Sequence, residues 1–108
     1  MNNNPSIWKS SEAEDLVAAL LIIDTPELMK SFLRDIMTEK EITELSNRLK
    51  AAKMLIDSAK YTDVAQTTGL SSRTIARISD WIKKGNGGYR QVITNLQAHH
   101  SHIPPVRV

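Results

Sequence analysis

Cysteine is absent from the 108 residues, so neither a disulfide framework nor a thiolate metal site is available. Only five residues are aromatic, which leaves the apolar positions to aliphatic side chains. No apolar run approaches about 18 residues, and the N-terminal stretch MNNNPSIWKSSEAED lacks the basic-then-apolar pattern of a signal peptide. A soluble, cytoplasmic protein without membrane association is expected. The length suits one domain with a modest core and is too short for two. Enzymatic signals are missing as well. Asp and Glu are scattered along helix surfaces with no pair placed for acid–base work. The GNGG stretch at 85–88 ends a helix instead of opening one after a strand, so it is no phosphate loop. His99, His100 and His102 lie in a tail without a nearby carboxylate or cysteine, so no metal or resident cofactor is expected.

The net charge of +2 says little until it is divided. Residues 1–60 carry eight Lys/Arg against ten Asp/Glu, whereas residues 61–108 carry six against two. The basic excess therefore sits in the second half, with the most structured motif of the chain. That motif is YTDVAQTTGLSSRTIARISDWI at 61–82. It reads as two short helices meeting at Gly69, whose backbone freedom suits a tight turn with φ > 0. Thr62 can cap the first helix, with Asp63 in its opening turn. Val64, Ala65 and Thr68 form its inner face. Leu70 plugs the corner, and Ser71 or Ser72 caps the second helix. Ile75, Ile78 and Ile82 point inward at three- and four-residue steps, while Ser72, Arg73, Thr74 and Arg77 point outward. This is the pattern of a DNA-binding helix-turn-helix spanning about 62–84. Arg73 and Thr74 stand where base contacts begin, and arginine to guanine is the commonest specific contact. Arg77, one turn on, can reach a phosphate, a base or a ligand carboxylate. Ser71, Ser72, Gln66, Thr67, Lys83 and Lys84 complete the set able to contact DNA, the last two being suited to phosphates. Lys50 and Lys53 read as a solvated helix face.

The rest of the chain supports that motif. Residues 1–9 form a loose polar arm in which Ile7 and Trp8 can dock on a helix. A helix starts at Ser10 or Ser11, with Ser11 and Glu14 spaced as a capping box; its stripe is Leu16, Ala19, Leu20 and Ile23, widened by Leu21 and Ile22. Thr25-Pro26 opens a second helix with Leu28, Met29, Phe32, Leu33 and Ile36 inside. Thr38 and Glu41 make another capping box, from which a long helix runs to about Ala59. Ile42, Leu45, Leu49, Ala52, Leu55 and Ile56 mark its seam. A last helix covers roughly 89–98, with Val92, Ile93 and Leu96 apolar, and the tail 99–108 is expected to be disordered. Six helices, no strand and broad apolar faces on a short chain predict an all-α domain over 10–98 that completes its core as a homodimer.

The segment 37–84 resembles the Trp repressor family, and within it the repressor-like branch called YerC/YecD. The resemblance rests on MTEKEITELSNRLKAAKML opening the long helix, the helix-turn-helix, and GNGGY after it; the order of six helices extends it over 10–98. It implies a six-helix Trp-repressor-like fold, an intertwined homodimer, and repressor-like binding to double-stranded operator DNA. In that family a co-repressor is held by two arginines, a glycine and a serine. Arg48 and Arg77 match the arginines, but Ile78 stands for the glycine and Trp81 for the serine. Isoleucine fills the space a flat ring would use, so L-tryptophan is not expected to gate the protein. A self-filled pocket or another small-molecule effector remains. Two further readings stay open: a helical protein-interaction module, and the DNA-binding unit of a transposition or replication-initiation system.

Overall fold

A computed structural model describes residues 5–102, with side chains from 6 to 98. The described residues form six α-helices after a short 3-10 turn and contain no strand. They are α1 (Ser11–Ile22), α2 (Pro26–Ile36), α3 (Glu39–Ile56), α4 (Tyr61–Thr68), α5 (Ser72–Lys84) and α6 (Gly88–His102). The chain divides into two compact units, one up to residue 45 and one from residue 46 onward.

In the N-terminal unit each helix start has a chemical cause. Ser10, not Ser11, is the first cap: its Oγ accepts from the Ala13 N–H at 3.1 Å. The Ser11–Glu14 box does not form, because Ser11 is already helical and its hydroxyl turns to Glu12. Thr25 caps α2 through the Leu28 N–H, with Pro26 where its missing N–H costs nothing. Thr38 and Glu41 form the full reciprocal box, at 2.8 and 3.1 Å. Arg34 donates to the Met37 carbonyl beyond the end of α2 and pairs with Glu39 at 3.6 Å. That pair is exposed and contributes at most about 1 kcal/mol. Residues 5–9, expected as loose arm, form a 3-10 turn beside α1, with Ile7 and Trp8 half exposed.

Neither α1 nor α2 buries a residue. Leu21 and Ile22 are 79% and 78% exposed, and Leu16, Val17, Leu20, Leu28, Ile36 and Leu45 are also open to solvent. Leu45 thereby departs from the buried seam that the spacing along α3 suggested.

The C-terminal unit holds the core. Ala51, Ala52, Val64, Ile75, Ile78, Ile82 and Ile93 form one buried cluster, with Leu49, Met54, Leu55, Ile56, Leu70 and Tyr89 packed around it. α3 ends at Ile56, three residues earlier than the sequence suggested. Ser58 takes φ 68° there, the Ala59 N–H reaches the Met54 carbonyl at 2.9 Å, and the Ser58 N–H reaches Leu55 at 3.0 Å. This is a Schellman stop built on a non-glycine residue. The chain then enters α4 with Lys60 as N-cap and no side-chain cap bond. Thr62 is not the cap: α4 begins one residue before it, so Thr62 already lies in the first turn. α6 begins at Gly88 and passes the expected end at residue 98. The rest of the expected disordered tail, 103–108, and the three histidine side chains lie outside the described residues.

Because Ile75 is fully buried in this cluster, Ile75→Ala should cost about 2–5 kcal/mol. The drop would be read as a lower urea midpoint at unchanged slope.

Candidate nucleic-acid interface

The turn between α4 and α5 is fixed by one buried hydroxyl and one glycine. Thr68 Oγ1 donates to the Val64 carbonyl at 2.8 Å and accepts from the Leu70 N–H at 3.2 Å. Gly69 has φ 73° and ψ 5°, and its N–H reaches the Ala65 carbonyl at 2.8 Å. A Cβ there would touch nothing within 4 Å, so the requirement is the left-handed backbone and not space. Leu70 tucks against the core. Ser71 then caps α5: its Oγ accepts from the Thr74 N–H at 3.2 Å and donates to Thr74 Oγ1 at 3.1 Å.

α5 has two unlike sides. Ile75, Ile78, Ser79 and Ile82 are buried, as the three- and four-residue spacing of the isoleucines predicts. Advancing about 100° per residue, Arg73, Arg77 and Lys84 fall within about 40° of one another on the opposite side, which is exposed. Lys83 is exposed about 80° from that line, and Ser71 and Ser72 are exposed at the start. Thr74 is half-buried, its hydroxyl engaged with Ser71. Gln66 and Thr67 are exposed near the end of α4.

The far end of α5 is held from α6. The Gly85 N–H reaches the Trp81 carbonyl at 2.9 Å, and a side chain at Gly85 would overlap that carbonyl, which is why glycine stands there. The Arg90 Nε donates to the Ile82 carbonyl at 3.3 Å, closing one of the last open carbonyls of α5 with a positive charge. Arg90 was absent from the residues singled out by sequence. Its signal was faint: one arginine just past a glycine break that ends a helix.

The four residues matched to an effector pocket have different settings. Ile78 is wholly buried in the core cluster, whereas Trp81 is 43% exposed and its indole only half covered. Arg77 is exposed on α5. Arg48, on α3, faces Tyr89 of α6: burial pushes the Tyr89 phenol above its ordinary value of 10.0, and the Arg48 guanidinium partly counters this. Beside Tyr89 lies an open apolar hollow of about 350 Å³ lined by Leu49, Gly88 and Val92. Of the apolar positions of α6, Ile93 is buried, whereas Val92 is exposed and lines the hollow. Among the described residues no cluster of His, Asp or Glu could hold a metal, and no helix is long and apolar enough to cross a membrane.

A raised Tyr89 value makes a pH prediction. In the unfolded chain the phenol ionises near 10, while the folded protein still holds the proton. Stability should therefore be full below about pH 10 and fall as pH rises from there toward the folded value. The difference in phenolate absorbance between the protein and Tyr89→Phe should show a midpoint above 10. The variant should lose part of the alkaline drop in stability.

A family model described as Trp repressor protein matches residues 11–97. The uncharacterized protein YerC of Bacillus subtilis (strain 168) is 28% identical over 89 residues, covering 82% of this chain and 86% of YerC. A crystal structure of a TrpR-like protein from Eubacterium eligens ATCC 27750 superposes with a TM-score of 0.80 at 35% identity, over 85% of this chain and 95% of that one. A second crystal structure, from Staphylococcus aureus, gives a TM-score of 0.82 at 27% identity, over 89% and 96% of the two chains.

Proposed function

The chain belongs to the Trp repressor family, and from that premise we propose that it is a sequence-specific DNA-binding transcriptional regulator acting as a homodimer. The observation that carries the reading is the two-sided α5. Three isoleucines anchor one side in the core, and the opposite side offers Arg73, Arg77 and Lys84 to solvent after a capped, glycine-turned start. In this reading α4 and α5 are a helix-turn-helix, and α5 enters the major groove. Arg73 faces base edges, and Thr74, half-buried with its hydroxyl on Ser71, stands at the margin of that contact. Gln66, Thr67, Ser71, Ser72, Lys83 and Lys84 hold phosphates, and Arg77 serves either. The role is regulatory and not enzymatic.

The homodimer is supported by the N-terminal unit. Full burial of a Leu or Ile contributes about 1.5–3 kcal/mol, and this unit leaves Leu21, Ile22 and their neighbours uncovered. A second copy, related by a twofold axis, covers that surface and sets two α5 helices about 34 Å apart for successive major grooves.

Effector control by L-tryptophan is disfavoured by Ile78. Its side chain stands in the core where the family's glycine would leave room for a ring. α5 is then held in place without a ligand, and tryptophan has no differential affinity with which to shift it.

DNA affinity should fall steeply with salt, with a log–log slope near about −7 if each subunit neutralises about four phosphates. Arg73→Ala should relax sequence preference, while Lys83→Ala should weaken all sequences alike. Addition of L-tryptophan should change neither affinity nor slope. Anisotropy titrations on duplexes selected from a random pool would measure all three; a flat salt response would reject DNA in favour of a protein partner.

The dimer makes its own prediction. Melting temperature should rise with protein concentration, because folding and association are linked. A concentration-independent melt with a monomeric mass by light scattering would reject it.

A further inference from the structure

The basic side of α5 carries one carboxylate, Asp80. At about 100° per residue it lies about 20° from Arg73, 40° from Lys84 and 60° from Arg77, at the edge of the exposed stripe next to Arg73. Helical spacing places Arg77 and Lys84 three and four residues away, the distances at which oppositely charged side chains meet. Asp80, however, forms no ion pair within 4.0 Å among the described residues. Helix stability gives no reason for the acid either. It sits just before the last turn of α5, toward the end where the dipole disfavours negative charge.

We propose that Asp80 is a specificity-determining residue of this face, selecting a cytosine whose amino group its carboxylate accepts in the major groove; the inference rests on the DNA-reading role of α5 proposed above. A carboxylate among phosphates is repelled, so Asp80 opposes binding to any DNA that offers it no donor. In the major groove the base donors are the cytosine N4 and adenine N6 amino groups. Adenine places its N7 acceptor beside that donor, which repels a carboxylate, whereas cytosine carries no acceptor on that edge. Asp80 therefore admits cytosine and rejects the rest. Arg73 and Asp80 are seven residues apart, about 10.5 Å along the helix axis, which corresponds to about three base-pair steps. A guanine read by Arg73 and a cytosine read by Asp80 should accordingly lie about three base pairs apart.

The test is selection from a random duplex pool by the full chain and by Arg73→Ala, Asp80→Asn and Asp80→Ala, with circular dichroism melts to establish that each variant folds. The unaltered protein should enrich a site containing both bases. Arg73→Ala should lose the guanine and Asp80→Ala the cytosine. Replacing that cytosine should weaken binding by the unaltered protein about 5- to 100-fold and leave Asp80→Ala nearly indifferent. Both Asp80 variants should bind a scrambled duplex several-fold more tightly than the unaltered protein does. A selected site whose cytosine survives in Asp80→Ala, or an unchanged affinity for the scrambled duplex, would overturn this inference alone. Enrichment of no sequence by the unaltered protein would overturn the DNA-reading role and the inference together.

Discussion

The packing of α5 on a small aliphatic core is the constraint on which the rest of the candidate interface depends. One side of the helix must be held firmly enough to leave the other bare. Ile75, Ile78 and Ile82 do this in company with Ala51, Ala52, Val64 and Ile93. The two alanines, wholly buried on α3, share that core with the isoleucines. Both ends of α5 are then closed by specific hydrogen bonds. Ser71 satisfies the start, Gly85 lets its own N–H close on the Trp81 carbonyl, and Arg90 takes the Ile82 carbonyl. Every one of those ties leaves the Arg73–Arg77–Lys84 line free.

The N-terminal unit obeys the opposite rule. Its helix starts are well capped, so local structure is specified residue by residue. Its apolar faces, however, have nothing in their own unit to bury against. Capping contributes about 1 kcal/mol per site, whereas fully burying several Leu and Ile side chains contributes several times that. Local signals fix where these helices begin and end. A second chain, in the homodimer proposed here, supplies what keeps them folded.

What could be read in advance follows the same division. Features carried by a few adjacent residues were legible: Thr25-Pro26, the Thr38–Glu41 box, the left-handed Gly69 and the spacing of the three isoleucines. The exposed positions of Arg73, Arg77 and the lysines follow from the same periodicity. Features that depend on competing local choices were less legible. Ser10 and Ser11 offer equivalent hydroxyls, and the choice between them depends on which backbone remains extended. The stop of α3 rests on Ser58, a residue with no intrinsic preference for φ > 0, so nothing in the composition marks it. Lys60 starts α4 without the oxygen that cap patterns look for. Contacts across helices were least legible. Arg90 reaching back eight residues to Ile82, and Ala51 sharing burial with Ala52, need the tertiary arrangement before they have meaning.

The same distinction bears on control. A co-repressor works by adding to one position of a mobile reading helix a set of contacts missing from the other. Here such contacts are already part of the chain. Ile78 is continuous with the core, and the C-terminal end of α5 is tied to α6. In the function proposed above, a core contact of this kind is present at every ligand concentration and leaves an effector no equilibrium to bias. On that proposal regulation acts elsewhere, through the amount of protein, the proposed association into dimers, or competition for the exposed basic line. Trp81, half covered beside that line, belongs to the surface on which such competition would take place.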